Sequence, residues 1–173
     1  MKKTYSISIY TENNLGLLNR ISVIFLKRHI NIESVTASKT ELKDITRLII
    51  VIESTEVQVK KLIGQIEKQI DVIKAYYHTD NEIIYLQSAL FKIKSHLLFE
   101  EPQIQNVIKN SNAQIVTVST EFFVIQKSGK KEEIETLYEA LQPYGIMQFV
   151  RSGRISVSKD EMNITQLLKK QLN

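Results

Sequence analysis

Gly16 sits where one sequence pattern gives way to another. Tyr5 to Tyr10 alternates apolar and polar residues, the period of a strand with one buried face. Beyond Thr11-Glu12-Asn13-Asn14-Leu15-Gly16, the apolar residues Leu17, Leu18, Ile21, Ile24 and Phe25 recur at three- and four-residue spacing. That spacing puts them on one stripe of a helix. A second alternating run starts at Ile32. The stretch therefore reads strand, tight glycine loop, helix, strand. The loop brings Asn13, Gly16 and the free amides of Leu17 and Leu18 to the start of the helix. Unpaired amides there, with the dipole behind them, form a small anion site. The expectation is a site for the carboxylate of a free amino acid, in a sensor and not a catalyst.

The rest of the chain extends this pattern. Strands are expected at 4–11, 32–38, 46–53 and 72–78. Helices fill the gaps, the second opened by the capping-box sequence Thr55-Glu56-Val57-Gln58 and carried by Val59, Leu62, Ile63, Ile66 and Ile70. The order is βαββαβ, with both helices on one face of an antiparallel sheet and the other face solvated or covered by something else. After polar Thr79 to Glu82 the order repeats. Strands are expected at 86–94, 114–118, 121–126, 146–150 and 154–158. One helix starts at Pro102 and another is capped by Ser128. Ile164, Leu167, Leu168 and Leu172 support a short tail helix. The expected class is α+β: two ferredoxin-like βαββαβ sandwiches over 1–79 and 83–159, and a tail helix over 160–173.

Composition narrows the function. With 173 residues, 43% hydrophobic and 24% charged, the chain can bury one or two cores. Its longest strictly apolar run, Leu48 to Ile52, is too short to span a bilayer, and the N-terminus alternates where a signal peptide would be apolar. No membrane association and a cytoplasmic location are expected. The net charge of +4 comes from lysines and arginines interleaved with acids, the pattern of a solvated surface and not of a nucleic-acid footprint. Strand 48–52 also lacks the aromatics on which RNA-recognition sheets stack bases.

Catalytic chemistry is thin. Cysteine is absent, which removes disulfides, thiol nucleophiles and thiolate metal sites together. His29, His78 and His96 are separated in sequence, and none has a histidine or cysteine three or four residues away. Glu100-Glu101 and Glu132-Glu133 are adjacent, so their side chains diverge within a helix; they suit first-turn dipole compensation better than acid–base work. Ser128-Gly129-Lys130 lacks the upstream glycine of a phosphate loop. No catalytic or metal residues are expected.

Glu12-Asn13-Asn14-Leu15-Gly16-Leu17-Leu18-Asn19-Arg20, followed by Asn31-Ile32-Glu33-Ser34, resembles an ACT domain. More narrowly it is similar to the small regulatory subunit of acetohydroxyacid (acetolactate) synthase. Thr46-Arg47-Leu48-Ile49-Ile50, Ser128-Gly129, Pro143-Tyr144-Gly145-Ile146 and Arg151-Ser152-Gly153-Arg154-Ile155 extend the resemblance over almost the whole chain. It implies a non-catalytic subunit that activates the catalytic subunit and confers feedback inhibition by a branched-chain amino acid, valine foremost. It implies no cofactor on this chain, with thiamine diphosphate, Mg and FAD on the catalytic partner. It also implies a homodimer. Asn13, Leu15, Gly16, Leu17 and Leu18 would form the effector loop, with Leu17, Leu18 and Ile32 an apolar wall, and Asn31 and Ile32 would come from the neighbouring subunit. For Asn13 and Asn14, ordinary helix capping is the competing reading. A free-standing ACT-type sensor acting on a different enzyme is the competing function. The chain departs from the family at Arg28-His29-Ile30-Asn31, where His29 falls at a helix end that glycine occupies most easily.

Overall fold

The computed structural model describes residues 1–14 and 16–172, apart from the side chain of residue 172. The first half forms β1 (Lys3–Glu12), α1 (Leu17–Lys27), β2 (Ile32–Lys39), β3 (Ile45–Ser54), α2 (Glu56–Ile66) and β4 (Val72–Thr79). Its sheet runs β2-β3-β1-β4, antiparallel throughout. The aliphatic run at 48–52 is central and buried on both faces, whereas β2 is a largely exposed edge.

Strand alternation sends Tyr5, Ile7 and Ile9 to the helix-covered face, where they meet Leu48, Ile50 and Ile52. Leu17, Ile21 and Phe25 of α1 pack onto them. Each such side chain, fully buried, contributes about 2 kcal/mol gross. Because α1 has no side-chain cap and no acid in its first turn, features worth about 1 kcal/mol each, packing is what holds it. Helix α2 carries the expected capping box between Thr55 and Gln58. Two apolar residues depart from expectation. Leu18 is 53% exposed, off the buried stripe, and Ile70 lies beyond the end of α2, 93% exposed.

The second half forms β5 (Ile83–Lys94), α3 (His96–Glu100), α4 (Pro102–Asn110), β6 (Gln114–Val118), β7 (Phe122–Gly129), α5 (Lys131–Leu141) and β8 (Ile146–Arg151). The order β6-β7-β5-β8 repeats the first sheet, so the fold has the α+β, doubly ferredoxin-like class expected. Phe91, Phe123, Ile104 and Ile134 lie in its core. Ser128 does not cap α5. It stays in β7 opposite Ser88, and the helix begins after Lys130, whose backbone N–H donates to Glu133 Oε2 at 2.7 Å. The short helix α3 has no counterpart in the sequence reading.

The last elements are β9 (Ile155–Ser158), which pairs with β5, and α6 (Ile164–Leu172). The chain divides into two compact units: Met1–Tyr85 together with the residues from Arg154 onward, and Leu86–Gly153. The second unit is thus shorter at both ends than the span 83–159. The reason is chemical. Arg154 is buried in the first unit, bonded through Nη1 to Asp80 Oδ1 at 2.6 Å and Ser6 Oγ at 3.2 Å, with its guanidinium 4.0 Å from the Tyr85 ring centroid.

This return covers part of the first sheet's outer face. Leu168 of α6 is buried against Tyr10 and Ile45, with Ile164, Leu42 and Tyr76 packed around them. Thr165 Oγ1 donates to Glu41 Oε1; that hydrogen bond holds the Glu41 carboxyl below its usual range.

Candidate functional site

The loop between β1 and α1 is held from both sides. The Asn13 N–H donates to the Asp44 carbonyl at 2.9 Å, and its Oδ1 accepts from Thr46 Oγ1 at 3.4 Å. Asn14 Nδ2 donates to Asp71 Oδ1 at 2.7 Å. Arg20 forms an ion pair with the other oxygen of Asp71. Asp71 therefore ties the loop and the first turn of α1 to the start of β4. Sequence reasoning did not find Asp71, because its partners lie more than fifty positions away and no local pattern marks it.

Gly16 is the residue before α1, at φ 79° and ψ 0°. Only glycine adopts that left-handed conformation without strain. Apart from its chain neighbours, a side-chain carbon there would meet no described atom within 4 Å. Neither asparagine side chain caps the helix among the described residues, which removes the capping alternative. The first-turn amides of an α-helix lack intrahelical acceptors, and an end of this kind accepts a carboxylate by hydrogen bonding and dipole together.

The other expected residues separate. The Leu17 side chain is buried in the core, so Leu17 offers its amide and not an apolar wall. Leu18 presents its side chain outward. Leu15 lies outside the described residues. Asn31 is exposed, and Ile32 is half-buried at the beginning of β2. Register places these two far from Gly16 within one chain. Glu12 pairs with Ile45 and Ile32 pairs with Ile52, at opposite ends of β3. At about 3.3 Å per residue the two ends lie on the order of 20 Å apart.

His29 takes the left-handed position at the end of α1, φ 53°. Its N–H donates to the Leu26 carbonyl, and that of Ile30 to the Phe25 carbonyl. It thus occupies the glycine-favouring site that the sequence placed there. Among the described residues, no group of three or more His, Cys, Asp or Glu side chains could hold a metal ion. No described helix is long and apolar enough to cross a membrane.

A βαββαβ sandwich with a glycine loop ahead of its first helix, followed by a second sandwich of the same order, is the tandem architecture of an ACT-type protein. Residues 7–74 match the family described as the AHAS small subunit-like ACT domain, and residues 87–160 match the small subunit of acetolactate synthase. The chain is 36% identical to the acetolactate synthase small subunit of Bacillus subtilis (strain 168), covering 88% of this chain and 89% of that protein. It is 32% identical to the acetolactate synthase small subunit of Mycolicibacterium smegmatis, covering 93% and 94%. The crystal structure of the acetolactate synthase small subunit from Thermotoga maritima has the same fold, with a TM-score of 0.82 at 19% identity over 92% of this chain and 99% of that one. The chain belongs to the acetolactate synthase small-subunit family.

Proposed function

We propose that this chain is the non-catalytic regulatory subunit of an acetolactate synthase. It raises the activity of the catalytic subunit and makes that activity sensitive to a branched-chain amino acid, valine foremost. Thiamine diphosphate, Mg and FAD belong to the catalytic subunit in this reading. The effector carboxylate lies against the open turn at Gly16 and the amides of Leu17 and Leu18. Asn13 faces the ammonium group through its carbonyl oxygen, and Leu18 faces the aliphatic side chain.

The observation that carries this reading is the relation between that turn and the edge strand β2. The Lys39 end of β2 lies beside Thr46, at the end of β3 where the Gly16 loop opens. If two copies pair antiparallel through β2, the Ile32 end of one strand comes to the Lys39 end of the other. Asn31 and Ile32 of the second copy then complete the site that Asn13 and Gly16 of the first begin. One ligand touches both chains, so binding favours one dimer geometry over others. Such differential affinity is what an allosteric response requires.

The test is reconstitution with the catalytic subunit, with and without valine, leucine and isoleucine. Activation by this chain and inhibition by at least one of the three are expected. Gly16→Asp puts a side chain and a negative charge into the carboxylate position. It is expected to remove effector binding measured by calorimetry while activation persists. Unchanged valine binding in this variant would refute the loop assignment.

A further inference from the structure

The first unit contains a second cavity, of about 620 Å³, on the outer face of its sheet and away from the Gly16 loop. Its floor is set by strand register. Ser38, Arg47 and Tyr10 form one cross-strand row, and Ser8 and Tyr76 pair in the next. Its other wall is the returning C-terminal segment, through Ser156 to Leu168. The volume lies within the range of small-molecule sites.

The floor carries unspent donors. Arg47 is half-buried, and among the described residues its guanidinium makes no hydrogen bond or ion pair. The nearby Glu41 carboxylate is engaged by Thr165. Tyr10, opposite Arg47, and Tyr76 stand edge to face, ring centroids 6.3 Å apart, and give the floor an aromatic side. Arg47 acts on the Glu41 carboxyl through its charge but gives it no hydrogen bond, and a planar guanidinium with unspent donors matches a carboxylate bidentately. Glu41 and Lys39 line the cavity on the Arg47 side, and the opposite wall is acidic, with Asp160 and Glu161. Those charges oppose a polyanion such as phosphate and favour a ligand with its own positive group.

We propose that this cavity binds a small zwitterionic carboxylic acid, a free amino acid with a side chain larger than that of valine. Its carboxylate meets Arg47, its ammonium group faces Asp160 and Glu161, and its side chain lies against Tyr10 and Tyr76. The site is separate from the Gly16 loop, lies within one chain, and does not depend on the effector reading.

The test is NMR titration of the full chain with the free amino acids, with their counterparts lacking the amino group, and with inorganic phosphate. Saturable shifts at Ser8, Arg47 and Tyr76 with at least one amino acid are expected, and they persist in Gly16→Asp. Arg47→Gln is expected to weaken that binding at least tenfold while leaving valine binding at the loop unchanged. The proposal is overturned if no amino acid shifts these residues in the unaltered chain, if phosphate or the deaminated acids bind as well, or if Arg47→Gln binds normally. Loss of loop binding alone in Gly16→Asp leaves the cavity shifts in place, so the two sites fail separately.

Discussion

Two residues in the left-handed region bracket α1: Gly16 before it and His29 after it. They predict stability changes of opposite sign. Gly16→Ala adds a methyl group that meets no neighbour, so its cost is backbone strain alone, about 1–2 kcal/mol. His29→Gly removes the same kind of strain and is expected to stabilise by about 1 kcal/mol. Urea denaturation of both variants measures the pair. Gly16 was legible because the shift from a two-residue to a helical period leaves only a short loop around it. Arg47 was legible only as part of a family-like strand. Its lack of a hydrogen bond depends on where Glu41, Tyr10 and Tyr76 point, and no local pattern encodes that.

At the scale of elements, the proposed effector site depends on β2. It is an edge strand, and Val35 is 43% exposed on it. An unpaired edge is a template for another strand, and lysine on an edge opposes such pairing. If the chain pairs through β2 as proposed, Val35→Lys is therefore expected to shift it from dimer to monomer in sedimentation velocity and to remove valine binding with it. A variant that stays dimeric would argue against assembly through β2. Most elements were legible because their patterns are local. The start of α2 is written in Thr55 and Gln58. The start of α5 was misread because Ser128 is a good cap in isolation, yet the ladder to β5 runs on through Gln87 and Gly129 and keeps Ser128 in the strand. Helix α2 stops before Ile70 for a related reason. The chain turns after Glu67 to enter β4, where Val72 returns an N–H to the Gln69 carbonyl.

At the scale of the whole molecule, the C-terminal segment returns to the first unit. Leu168, 2% exposed, anchors α6 against Tyr10 and Ile45. Leu168→Ala deletes buried methyl groups and is expected to cost about 2–4 kcal/mol of α6 docking. Hydrogen exchange checks this: the α6 amides should exchange faster, while those of β3 keep their protection. The same variant opens one wall of the outer-face cavity, so ligand shifts at Ser8 and Tyr76 should weaken with it.

Local periodicity and a few capping and turn residues were sufficient to specify two βαββαβ units and the glycine turn ahead of α1. Each depends on neighbours a few positions apart, and that information is present in a linear chain. What covers the first sheet, which carboxylate ties down the loop, and which arginine is left without a hydrogen bond were decided only by tertiary structure. The first two outcomes depend on side chains meeting across more than fifty residues of chain, the third on neighbours from other strands and loops, and burial and pairing at such distances follow from packing.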